Sequence, residues 1–150
     1  MLDINKHKII LIQILKEIYS DISIGPLLGF KGGTAAYLFY GLSRFSTDID
    51  FDLLDKKGGN YIFERIEKIV AKFGTIKEKI DKRNTFLLVL SYSEKTRNIK
   101  IEISKRVFGS DYKPRNYFGI PMLVMKKEDM FAHKLVAVKE RKETANRDIY

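Results

Sequence analysis

Asp48 and Asp50 stand two residues apart in the run Thr47 to Leu54, where Asp48, Asp50 and Asp52 alternate with Ile49, Phe51 and Leu53. That alternation predicts a strand. Its geometry projects Asp48 and Asp50 from one face, about 7 Å apart at their α-carbons, and turns Ile49 and Phe51 toward a core. Carboxylates held side by side repel, and a cation between them relieves the repulsion. Two divalent ions about 3.5–4 Å apart can be shared by such a pair and a triphosphate, one activating an attacking oxygen and the other neutralising a leaving pyrophosphate. An isolated Asp-x-Asp has a plainer reading, an acidic edge strand kept soluble by its charges. Asp52 shares the face but lies further along and reads as peripheral.

A second motif, Gly32-Gly33-Thr34, sits between an apolar stretch and a helical pattern. Two glycines let the backbone turn sharply and bring its N–H groups close to a ligand. The positive end of a helix starting at Thr34 suits a phosphate at the same place. The Thr34 hydroxyl then either contacts a β- or γ-phosphate or caps the helix. Together the motifs say more than either alone. Neighbouring strands lie about 4.8 Å apart, so one nucleotide can span a phosphate cradle on one strand and metal ligands on the next. Arg44 and Ser46 lie in the connecting loop. Arg44 reads as a phosphate contact or a surface ion-pair partner, and Ser46 as a ligand contact or a loop cap.

The elements that must position these groups follow from periodicity. Apolar residues at helical spacing mark a helix over Ile4 to Tyr19, and Pro26 ends the irregular stretch behind it. Leu27 to Lys31 reads as a short buried strand, Thr34 to Tyr40 as a helix, and Tyr61 to Phe73 as a longer amphipathic helix. Strands are expected over Thr85–Tyr92 and Ile99–Ser104, joined by the polar turn Ser93–Asn98. The apolar stretch Ile120–Met125 leads into a helix from Lys127 to Lys142, and a last element begins near Asn146. This order indicates an α/β (α+β) domain, a mixed sheet flanked by helices.

Within that frame Glu102 alternates with Lys100 and Ser104. It is either a third carboxylate, completing a metal shell or serving as general base, or an exposed partner of Lys100 or Lys105. Lys134 sits among Phe131, Leu135 and Val138, and either snorkels to water or reaches a buried anion. His133, on another side of that helix, reads as structural. The aromatic residues Tyr61, Phe63, Phe73, Phe86, Tyr92 and Phe108 read as core.

Composition narrows the chemistry. At 150 residues, 45% hydrophobic and 31% charged, the chain fits one globular domain, and no linker divides it. It contains no cysteine and two histidines, which leaves out thiolate chemistry and disulfides and favours hard oxygen ligands for Mg²⁺ or Mn²⁺. The net charge of +9 fits a polyanionic partner or a lysine-rich surface. The run Ile9–Leu15, broken by Gln13, is too short to span a bilayer, and no signal-peptide cleavage site follows it, so a cytoplasmic protein with no membrane partner is expected.

The segments Phe30-Lys31-Gly32-Gly33-Thr34-Ala35 and Arg44-Phe45-Ser46-Thr47-Asp48-Ile49-Asp50-Phe51 resemble the signature of the AbiEii/AbiGii-type nucleotidyltransferase toxin family, of the DNA-polymerase-β-like superfamily. The resemblance runs from about Leu28 to Tyr150. Two later features are similar as well: a lysine-bearing helix, here Phe131 to Ala137, and an Arg-Asp-x-Tyr motif, here Arg147 to Tyr150. The resemblance implies a polymerase-β-like nucleotidyltransferase fold and transfer of NMP from an NTP to a hydroxyl acceptor, with Mg²⁺ (or Mn²⁺) held by Asp48, Asp50 and Glu102. Gly32, Gly33, Thr34, Arg44, Ser46 and Lys134 would then meet the nucleotide, Lys134 on its phosphates, and Asp148 would belong to the active site. It implies the toxin of a toxin–antitoxin pair, with an RNA acceptor such as tRNA and a cognate antitoxin. An antibiotic-type transferase or a catalytically silent nucleotide- or RNA-binding module are the alternatives. Family members are longer, so a short or truncated form is expected.

Overall fold

The structure, a computed structural model, describes residues 3–106 and 109–140. It begins with α1 (Ile4–Ser20), whose first turn is capped by the Asp3 carboxylate accepting from the Lys6 N–H. A short 3₁₀ turn at Gly25–Leu27, with Pro26 preset for a tight turn, leads into β1 (Leu28–Lys31). Then come α2 (Gly32–Phe39), β2 (Ile49–Leu53), a 3₁₀ turn at Lys56–Gly58 and α3 (Gly59–Val70). The second half holds β3 (Thr75–Asp81), β4 (Thr85–Ser91), β5 (Ile99–Ser104), β6 (Tyr112–Tyr117), β7 (Ile120–Met125) and α4 (Lys127–Glu140).

Seven strands form one sheet in the order β3-β4-β5-β2-β1-β7-β6. β2 runs antiparallel to β1 and parallel to β5, and β1 runs parallel to β7, so the sheet is mixed, as expected. Its central strands alternate. Leu28, Phe30, Phe51, Ile101, Ile103 and Leu88 are fully buried with the apolar stripes of α1 (Leu11, Ile14, Leu15, Ile18) and α3 (Ile62, Ile66, Val70). The opposite side chains of β1, β2 and β5 are Lys31, Asp50, Asp52 and Glu102, so the strand period that builds the core also gathers the charged groups on the other face.

The apolar stretch Ile120–Met125 is a strand, β7, and two further strands lie where no element was expected. β3 reads Thr-Ile-Lys-Glu-Lys-Ile-Asp and is mostly exposed, with a register shift between Ile76 and Glu78. β6 reads Tyr-Lys-Pro-Arg-Asn-Tyr and is largely exposed too. Both are outermost strands. Charged residues, a bulge and a proline are what a sheet edge tolerates, and they erase the apolar alternation that marks an inner strand.

Candidate active site

The chain leaves β1 at Lys31 and enters α2 directly at Gly32, two residues before the expected start; Lys31 takes the cap position, and Thr34 lies inside the first turn. Gly32 has φ +85°, in the left-handed region that favours glycine, and a β-carbon there would stand 2.5 Å from Asp50 Oδ2. A β-carbon on Gly33 would stand 2.9 Å from Ser46 Oγ. Glycine is therefore required at this hinge for closeness, and what comes close is the Asp50 carboxylate.

Asp50 pairs with Lys31 of β1 on one side and with Glu102 of β5 on the other. Its carboxyl is pushed up to about 7, first by burial, then by the negative charges of Glu102 and Asp48, with the Lys31 ammonium pulling the other way. Asp48 lies just ahead of β2, which begins at Ile49 rather than at Thr47. Two bonds hold it: the Lys100 N–H donates to Asp48 Oδ1 at 3.1 Å, and the buried Thr34 hydroxyl donates to the Asp48 carbonyl. Thr34 thus does not cap α2. It fastens the Asp48 backbone to α2.

The segment ahead of Asp48 is tied down from a third direction. His7, fully buried on α1, has Nε2 2.9 Å from the Thr47 carbonyl and Nδ1 2.7 Å from the Tyr92 hydroxyl. A carbonyl only accepts, so Nε2 carries a proton and the Tyr92 hydroxyl can donate to Nδ1.

Asp52 lies further along β2 and has partners of its own. It is buried, its Oδ1 lies 2.7 Å from Lys31 Nζ, and it accepts from the Tyr112 hydroxyl. The Lys31 contact is an ion pair without good hydrogen-bond alignment, since Oδ1 makes no hydrogen bond. The Tyr112 ring reaches Asp52 only because residue 29 is glycine: a β-carbon there would lie 2.3 Å from the ring. Burial and the neighbouring Asp52 together push the Tyr112 hydroxyl far above its ordinary range, which keeps it a donor.

A cleft of about 750 Å³ opens between α2 and α4, lined among others by Lys31, Gly32, Gly33, Asp50 and Lys134, with Tyr40, Met125 and Phe131 as apolar wall. Size and mixed lining suit a small organic ligand. His133 borders this cleft alongside Lys134, although the sequence places it on another side of α4; its Nε2 lies 2.9 Å from Ser110 Oγ. Phe131 and Leu135 are exposed, so Lys134 does not stand in an apolar interior. Arg44 is exposed and is not among the cleft-lining residues, whereas Ser46 packs on Gly33. Among the expected core aromatics Phe63 and Phe86 are buried and stacked, Tyr61 is exposed, and Phe108 lies outside the described residues. Asp148, with the rest of the Arg-Asp-x-Tyr motif, also lies outside them.

The donor set fits a hard divalent ion. Asp50 carries charge that its carboxylate neighbours and burial disfavour, and a cation would relieve it. Among the described residues no group of three or more histidine, cysteine, aspartate or glutamate side chains is placed to hold a metal ion by itself. A Mg²⁺ ordinarily keeps several waters and phosphate oxygens and takes only one or two carboxylates from the protein. Sequence reasoning gave no part to Lys31, Tyr112 and His7, of which the first two meet Asp52 and the third meets the Thr47 carbonyl next to Asp48. Lys31 directly before Gly-Gly was the available signal; the other two act across the fold.

Comparison with known proteins bears on the fold and the family. The chain superposes on JHP933 of Helicobacter pylori with a TM-score of 0.69 at 26% identity, covering 99% of this chain and 65% of that one. A candidate nucleotidyltransferase of H. pylori gives 0.68 at 26% identity, covering 96% and 64%. A candidate nucleotidyltransferase of Thermotoga maritima shares the fold, with a TM-score of 0.58 at 16% identity over 93% of this chain and 88% of that one. The chain thus spans less than two thirds of the H. pylori proteins it matches. No curated protein matches. Among the described residues no helix is long and apolar enough to cross a membrane. The model of the family described as nucleotidyl transferase AbiEii toxin, type IV toxin–antitoxin system, matches residues 13–150, and the chain belongs to that family.

Proposed function

We propose that the protein transfers a nucleoside monophosphate from an NTP to a hydroxyl acceptor, with pyrophosphate leaving, and that it is the toxin of a toxin–antitoxin pair. The observation that carries this reading is the meeting of the Gly32 hinge with Asp50, itself flanked by Asp48 and Glu102. Mg²⁺ or Mn²⁺, when bound, supplies charge neutralisation and an activated oxygen. Asp48 and Asp50 would hold it, with Glu102 as third ligand or as base toward the acceptor hydroxyl. Gly32 and Gly33, at the positive end of α2, would donate their N–H groups to phosphate oxygens. Lys31 and Lys134 face the same cleft and offset the charge that grows on the phosphates. The family resemblance of the Arg-Asp-x-Tyr motif is the support for including Asp148, which lies outside the described residues. The basic charge suits an RNA acceptor such as tRNA, and a cognate antitoxin is the expected protein partner.

The test is transfer itself: label from an α-phosphate-labelled NTP, with Mg²⁺ and total RNA, for the protein and for Asp48→Ala/Asp50→Ala. Label on RNA that the double variant fails to add supports the proposal. Label on a small hydroxylated molecule and not on RNA would move it to an antibiotic-type transferase. No label with either protein, alongside nucleotide binding that survives the substitutions, would make the chain a silent binding module.

A further inference from the structure

A second, smaller pocket of about 260 Å³ lies at the Leu53 end of β2, between the start of α3 and the β3–β4 turn. Leu53 and Phe86, on the core-facing side of the sheet, form part of its wall, so it opens away from the face that carries Asp50. Four cations line it, Lys56, Lys57, Arg83 and Lys105, together with the amides of Asn60 and Asn84.

Its acidic neighbours are accounted for. Asp81 pairs with Lys105, whose Nζ also reaches the Lys82 carbonyl at 2.7 Å and lies 3.9 Å from the Phe86 ring centre. Asp55 accepts from the Lys57 backbone N–H. Among the described residues the side chains of Lys56, Lys57 and Arg83 have no ion-pair partner. α3 starts from Gly58 with no side-chain cap and no acidic residue in its first turn. A helix start ordinarily carries an oxygen acceptor for its unpaired N–H groups. Here lysines crowd the positive end instead, and Arg83 faces them across the pocket. Such concentrated positive potential is complementary to an oxyanion. The volume lies below the roughly 300–1,000 Å³ of sites for whole small molecules, which favours a single phosphate group over a complete nucleotide.

We propose that this pocket is a phosphate-binding site separate from the carboxylate centre, taking either free phosphate or one backbone phosphate of a polynucleotide. It does not rest on the transfer reading, because nothing in it uses Asp48 or Asp50.

The full-length chain is compared with Lys57→Ala/Arg83→Ala and with Lys16→Ala/Lys68→Ala, which removes the same charge elsewhere. The four substituted side chains are exposed, so both variants are expected to fold. Inorganic phosphate is titrated while the Asn60 and Asn84 amide signals are followed by NMR, and a short labelled single-stranded RNA is titrated by fluorescence anisotropy. Saturable phosphate-induced shifts in the native protein and in the Lys16/Lys68 variant, absent from the Lys57/Arg83 variant, support the site. If the polynucleotide is the source, the Lys57/Arg83 variant alone loses about tenfold in RNA affinity, and its dependence of log affinity on log salt flattens by about 1 to 2. Phosphate shifts without that loss assign free phosphate. No saturable shift, with RNA affinity equal in the two double variants, overturns the proposal.

Discussion

Gly32 and Asp50 belong to one device, and each yields a prediction. A methyl at Gly32 meets the Asp50 carboxylate and a backbone in the left-handed region, so Gly32→Ala is expected to cost about 1–3 kcal/mol in urea denaturation. It should weaken nucleotide binding as well. Asp50 makes the metal-free protein pH-sensitive. Its carboxyl titrates near 7 when folded and in the ordinary acid range when unfolded, so the folded state holds the extra proton between. The contribution of this group is greatest at the acid end and declines as pH rises from about 4 to about 7. With chelator present, Asp50→Asn should therefore raise stability at pH 7.5 by about 1–3 kcal/mol and leave it nearly unchanged near pH 4. A native-like pH profile in Asp50→Asn would show that the proton sits elsewhere.

The supporting elements were legible in proportion to how much apolar surface they bury. β2, β4, β5 and the helices α1 and α3 follow from periodicity because one face of each builds the core. Element ends shifted by up to three residues, and the earlier start of α2 moved Thr34 from helix cap to a lock on Asp48. β3 and β6 were illegible because their edge chemistry is polar. The motif residues Gly32, Gly33, Asp48 and Asp50 could be read locally, and the structure brings them together. Their supports could not, since Tyr112 reaches Asp52 from 60 positions away and His7 reaches Thr47 from 40. Tyr112→Phe tests that scale. It leaves a buried carboxylate short of a donor and is expected to cost about 1–3 kcal/mol in thermal or urea unfolding. Lys31→Met removes the ion-pair partner of that carboxylate, and the larger cost expected is about 3–5 kcal/mol.

At the scale of the whole molecule, a sheet with helices over its core face leaves charged side chains of its central strands toward one cleft, and the chain carries a net charge of +9. A net positive field of this kind favours polyanionic partners in general, and carboxylates set within it favour a cation. If Asp48 and Asp50 hold Mg²⁺, saturating Mg²⁺ with an NTP stabilises the native state in proportion to the logarithm of ligand over dissociation constant, about 2.7 kcal/mol at a hundredfold excess. That gain should vanish in Asp48→Asn/Asp50→Asn.

The most direct measurement is a crystal of the full chain with Mn²⁺ and a non-hydrolysable NTP, read by anomalous scattering. Manganese is expected on carboxylate oxygens of both Asp48 and Asp50, with phosphate oxygens against the Gly32–Gly33 backbone. Manganese and triphosphate settling elsewhere, with Asp50 unligated against Gly32, would contradict that placement.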